Sequence, residues 1–333
     1  MRIIFSLLFL ASTVWFGYWF IGSSTHEAAA KAWLDDRQNS GWVADYSDLN
    51  VQGFPNRFDT TITDLNIADP NQGWAWMASQ FQVLSLSYKP NHFIAVWPEA
   101  QVVSTPHKKY NINSTDMRAS MVFEPNTTLA IDRITLTLEN LKIATSADEQ
   151  SAISSAVFAT RQSDTLDFAH DIAFDAKNFL PSKTLKSLID PKSLLPAEFE
   201  TVTVKLTAAF DAPWDRLAVE GRKPNLTQLD LTSFDAKWGE MQLQATGKVA
   251  FDAQGYPTGN ISVRAKNWQD MIELAISTGA LDAATGRSLE KGLGLVALLS
   301  GNKNTLDVPL GFSNRIMSIG PIPIGQAPRL KRN

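Results

Sequence analysis

The chain has 333 residues, no cysteine, 34 acidic against 30 basic side chains and a formal charge of −4. That balance excludes the basic stripe a nucleic-acid partner demands, and the missing thiols exclude disulfide staples and mispairing in an oxidising compartment. A body of roughly 300 residues buries enough apolar surface to fold without staples.

Ile3 to Gly22 carries no charged residue, and Arg2 is the one charged side chain before it. A run of ~20 apolar residues is long enough to cross ~30 Å of hydrocarbon as a helix. A cleaved secretory signal is the competing reading. Its apolar stretch is shorter, roughly 7–15 residues, and ends in small residues. Here the outer end holds Trp15, Phe16, Tyr18, Trp19 and Phe20. Trp15, Tyr18 and Trp19 suit an aromatic belt at the bilayer surface. We therefore expect an uncleaved inner-membrane anchor over 1–22, a single pass, with the amino terminus inside and the rest in the periplasm. A short helix is predicted over Thr25–Gln38, with Thr25 as N-cap, in a linker (23–40) that lifts an exported domain (41–333) off the membrane.

From Gly41 onward the dominant period is two. Met241, Leu243, Ala245, Gly247, Val249 and Phe251 share one strand face, with polar residues between them. A turn at Ala253–Pro257, with Gly255 as its permissive residue, returns the chain through Ile261, Val263 and Ala265. Leu166, Phe168, His170, Ile172, Phe174 and Ala176 repeat the pattern, as do Val202 to Phe210. Phe58–Ile67, Phe81–Tyr88, Met117–Phe123 and Leu129–Leu141 are further strands, and a change of phase at Val83–Leu84 suggests a bulge. Helices are predicted at Lys183–Asp190, Trp268–Thr278 and Leu281–Ser300, the last burying Leu289, Leu293, Val296 and Leu299. The fold class is mainly β: a large curved antiparallel sheet with a few helices packed on it near the C-terminus.

Strands of ten or more residues with one apolar face are long against the usual five or six. Left bare, such a face aggregates, so it must fold over, be covered, or receive something apolar. Candidate ligand-binding residues are Trp74, Trp76, Phe168, His170, Phe174, Leu243, Val249 and Phe251, with Trp74 and Trp76 as the best exposed pair. None of the four histidines has metal-ligand spacing, and no nucleophile elbow, S-x-x-K or P-loop is present. No catalytic residue, metal or cofactor is expected. His170 is the best candidate base for an enzymatic alternative, although a lone histidine on an apolar face is commonly a hydrogen-bonded core residue. The tail Arg329, Lys331 and Arg332 reads as a solvated end.

Several local patterns resemble a proteobacterial family of exported proteins, domain of unknown function 2125. They are Val51-Gln52-Gly53-Phe54-Pro55-Asn56-Arg57-Phe58-Asp59, Trp74-Ala75, and Ser87-Tyr88-Lys89-Pro90-Asn91 with Trp97-Pro98. The hairpin through Gly255 and Gly259 into Ala265-Lys266-Asn267-Trp268 follows. Gly320-Pro321-Ile322-Pro323-Ile324-Gly325 with Ala327-Pro328-Arg329-Leu330 completes the series. The resemblance implies an exported β-rich protein and carries no catalytic residues. The hairpin grammar around Asp252–Gly259 also looks like that of AsmA-like envelope proteins, whose curved sheets are linked to lipid movement. Membrane lipid or another apolar ligand is thus the expected partner, with an envelope protein as the alternative and no nucleic acid.

Overall fold

The computed structural model describes residues 1–145, 149–299 and 302–330, and it is β-rich and antiparallel. Ser300, Lys331 and Arg332, and the side chains of Val296 and Leu299, lie outside the described residues. The chain divides into two compact units, 1–123 with 136–145 and 124–135 with 146–333.

The first unit opens with α1 (Arg2–Asn39), followed by β1 (Val43–Asp45), β2 (Asp48–Gln52), β3 (Arg57–Asp69) and β4 (Trp74–Leu86). Next come β5 (Lys89–Val96), β6 (Ala100–Ser104), β7 (Lys109–Asn113), β8 (Asp116–Phe123) and part of β9 (Ile131–Ala144). The expected break near Gly22 is absent, because α1 is one continuous helix of 38 residues. A glycine within a helix costs only about 1 kcal/mol, and here it serves a close approach. A Cβ at Gly22 would collide with the Phe58 ring.

The outer half of α1 lies on the sheet rather than lifting it away. Leu34, 1% exposed, packs with Ala44, Leu49, Leu65 and Ile67. The inner half is bound to the same unit through its aromatic belt. Trp15 Nε1 donates to the Pro55 carbonyl (2.8 Å), Trp19 Nε1 to that of Arg57 (2.8 Å), and Tyr18 Oη to that of Ser87 (2.6 Å). Phe54 packs edge-on against Phe16 and Trp19. The segment Arg2–Asn39 includes an apolar stretch long enough to cross a membrane, and none of that stretch is buried.

The second unit contains β10 (Gln150–Gln162), β11 (Ala169–Leu180), α2 (Lys183–Ile189), β12 (Phe199–Phe210), α3 (Arg216–Glu220) and β13 (Leu226–Trp238). It continues with β14 (Met241–Phe251), β15 (Pro257–Lys266), α4 (Trp268–Ser277), α5 (Ala283–Leu299), β16 (Thr305–Ser313), β17 (Ile316–Ile319) and β18 (Ile322–Gln326). From β10 to β18 each strand pairs with the next, an uninterrupted antiparallel meander. The β14–β15 hairpin turns as expected. Gly255 takes φ +86° beneath the Leu330 carbonyl, and Asp252 Oδ1 accepts from the Gln254 and Tyr256 amides.

Two details differ from expectation. The register runs unbroken through Val83 and Leu84, whose side chains simply face opposite ways. An irregularity falls one residue further on, between Ser85 and Leu86 where β4 pairs with β5, and others lie at left-handed Asp64 in β3 and between Leu231 and Phe234 in β13. The strand predicted from Leu166 begins only at Ala169: Phe168 takes φ +50°, although its carbonyl still accepts from the Phe210 amide at 3.0 Å. Phe168 is exposed, whereas His170 two residues on is buried.

Candidate functional site: an open apolar sheet face

Registers in the second unit bring apolar residues of successive strands opposite one another. One row runs Phe158, Phe174, Val204, Phe234, Ala245, Val263, Val308. The next runs Thr160, Ile172, Leu206, Leu231, Gly247, Ile261, Leu310. The irregularity in β13 keeps both in line, since it moves the apolar phase from Leu229 and Leu231 to Phe234 and Ala236 as the ladder shifts. At ~4.8 Å per strand, a row across seven strands extends roughly 29 Å, about twice the ~15 Å of one leaflet's hydrocarbon.

Flanking rows close this face at its ends. At one end Leu243, Ala265 and Leu306 pack with Trp268 of α4 and Leu289 and Leu293 of α5. There too the segment after α2 is pinned over Trp238. Trp238 Nε1 donates to the Pro196 carbonyl (2.9 Å), and the Lys186 ammonium stands over the indole and pairs with Asp190 at 2.7 Å. Burial pushes the Asp190 carboxyl up, but the Lys186 ammonium and the amides of Leu195 and Leu194 outweigh it and hold the group below its ordinary value.

At the other end Val249 packs with Phe312 and Ala327, and Phe251 joins them. His170, 7% exposed, stands here opposite Ala208, with Thr160 Oγ1 3.3 Å from its Nδ1. Burial lowers its pKa, while Asp132 and Asp171 pull it back up. It lines a cavity of about 370 Å³ with Glu124, Gln162, Asp215 and Trp214, at whose edge Phe168 is 52% exposed. The neutral imidazole and these carboxylates offer hydrogen bonds to a polar group at the end of an apolar track.

Between the ends, both central rows are half-buried, and the described helices pack at the ends instead. Hollows of about 660 and 520 Å³ run along the same strands. The first is lined by Phe234, Ala245, Val263 and Val308 of a central row together with polar neighbours such as Gln244, Arg264 and Asp307, and the second by Ile172 and Leu206 with Arg161, Asp171 and Lys205. Among the described residues no three His, Asp or Glu side chains converge as a metal site.

The structure gathers Phe174, Leu243, Val249 and His170 on this one face, with Phe251 packed at its end and Phe168 beside its cavity. Trp74 and Trp76 belong to the first unit and are not an exposed pair. Trp74 packs edge-on against Trp42 and Trp76 against Phe81, in the cluster around Leu34, and Trp76 donates to Gln101 (2.8 Å). Strand-by-strand reading missed Leu206, Leu231 and Phe234 as central residues. Their signal was the shared phase of neighbouring strands, visible only once the ladder is aligned.

The family described as an uncharacterized protein conserved in bacteria, DUF2125, matches residues 19–328. No curated protein matches the chain, and no solved structure does.

Proposed function

The chain belongs to the DUF2125 family, and we propose that it acts without catalysis as a membrane-anchored envelope protein whose second unit receives lipid acyl chains. In this reading α1 is a single-pass inner-membrane anchor and the body lies in the periplasm. The observation that carries it is the pair of central apolar rows, unroofed and longer than one leaflet's acyl chain. An apolar surface of this size left to water is costly at about 25 cal/mol per Å². Exposed patches of this kind mark binding sites in stable proteins. Acyl chains need no directional partners, which suits a track free of charge. The polar cavity at His170 would hold a headgroup, and the hairpin grammar resembling AsmA-like envelope proteins agrees with a lipid ligand.

Photoreactive phospholipid supplied to the full chain in vesicles tests this. Adducts on peptides of β11 to β15 containing Phe174, Phe234 or Val263 are expected. Adducts confined to Ile3–Ile21 would reduce the protein to an anchored body without a lipid track.

A further inference from the structure

The hydrogen bonds of the aromatic belt fix a height, and that height has a consequence for the loops they reach. Ile3 to Ile21 rises about 28 Å as a helix, so the whole run is needed to match ~30 Å of hydrocarbon. The sheet, however, meets the helix before that run ends. Trp15, Tyr18 and Trp19 are bonded to Pro55, Ser87 and Arg57. These contacts lie about 3–9 Å below Ile21 along the axis. The two loops are also tied to each other, the Ser87 amide donating to the Asn56 carbonyl at 3.0 Å. They therefore share one level. Phe16, Phe20 and Ile21 remain exposed at that level, as do Phe54 (53%) and Tyr88 (57%) on the loops. If the loops stood in water, the helix would hold its own outer apolar turns in water with them.

We infer that the Gly53–Arg57 loop and the Ser87–Lys89 turn form a lipid-facing sole, with Phe54 and Tyr88 seated among the headgroups of the bilayer that α1 crosses. The inference rests on reading α1 as a membrane span. A depth of 3–9 Å is that reached by surface-lying amphipathic segments, about 5–10 Å, and Tyr prefers this zone because its ring is apolar and its hydroxyl wet. The occupant is lipid because the adjoining surface is the apolar helix itself.

The cysteine-free chain permits a direct test. Full-length Phe9→Cys, Tyr88→Cys and Lys108→Cys variants each carry one environment-sensitive fluorophore in phosphatidylcholine vesicles containing doxyl-labelled phosphatidylcholine. Phe9, Tyr88 and Lys108 are all exposed. Loss of fluorescence and a blue shift are expected at positions 9 and 88, with neither at 108. Quenching at 9 without 88 overturns the sole and leaves the anchor standing. Absence of quenching at 9 overturns the anchor and the sole together, and equal quenching at all three overturns a sole confined to these loops.

Discussion

The two units write the same alternating strands and finish them differently. In the first, the outer half of α1 covers β1 to β3 and drives Leu34 to 1% exposure among Ala44, Leu49 and Leu65. In the second, α4 and α5 close one end of the apolar face, the Val249–Phe312 cluster closes the other, and the centre stays half-buried. The difference lies in the helices. Strand sequence makes an apolar face, and the apolar stripe of a following or preceding helix decides whether that face becomes a core or a surface.

Substitutions of graded effect bear on this contrast. The largest effect is expected at the pinned end of the open face, where Lys186→Met strands the buried Asp190 charge. A loss of ~3–5 kcal/mol should appear in denaturant melts followed by Trp fluorescence. Because the folded Asp190 carboxyl is held below its unfolded value of ~3.9, its contribution is complete above that pH. It is lost as the pH falls through the folded value. Asp190→Asn should flatten that acid limb.

Next in size, Leu34→Ala should cost ~2–5 kcal/mol, whereas Phe174→Ala on the open face should cost about 1 kcal/mol. Equal losses in urea melts would erase the distinction between a covered and an uncovered face. Smaller in stability but decisive for binding, Leu206→Gln with Val263→Gln should leave the circular dichroism spectrum unchanged. It should lower photolipid adducts about tenfold, equivalent to ~1.4 kcal/mol. Unchanged adduct yield would argue that lipid bypasses the central rows. The smallest effect concerns His170. Its pKa is lowered by burial, so the native state binds fewer protons than the unfolded chain below its ordinary value of ~6.5. Stability should decline as pH drops below that point, and His170→Gln should remove this slope from melting temperatures measured at pH 7 and pH 5.

Much of the fold was legible because period two survives in a long ladder. Met241 to Phe251 and its return through Ile261 to Ala265 form a hairpin where the alternation and Gly255 demanded one. Lys183, Trp268 and Ala283 open helices close to the predicted starts. What the sequence hid was tertiary. Thr25–Gln38 looked like a separate helix because Gly22 and the polar Ser23-Ser24-Thr25 resemble a boundary. Contact between Gly22 and the Phe58 ring instead favours an unbroken helix. Phe168 shares the apolar phase of Leu166 and His170 in sequence, but it takes a left-handed backbone and lies just before β11. Trp74 and Trp76, expected as an exposed pair, are instead packed among Trp42, Phe81 and Leu34. The candidate face was half visible: each strand announced its apolar side, while the alignment of those sides depended on the irregularity in β13.

The unbroken α1 also makes the first unit a lever. Trp15, Tyr18 and Trp19 clamp one stretch of the helix and Leu34 clamps another about 22 Å further along. A helix longer than the local hydrocarbon thickness tilts to hide its excess. If α1 spans the bilayer as proposed, that tilt cannot be absorbed by a flexible joint, and strands β1 to β5 would lean with the helix. Bilayer thickness would in this way set the pitch of the sheet against the membrane plane, turning a property of the lipid into an orientation of the protein.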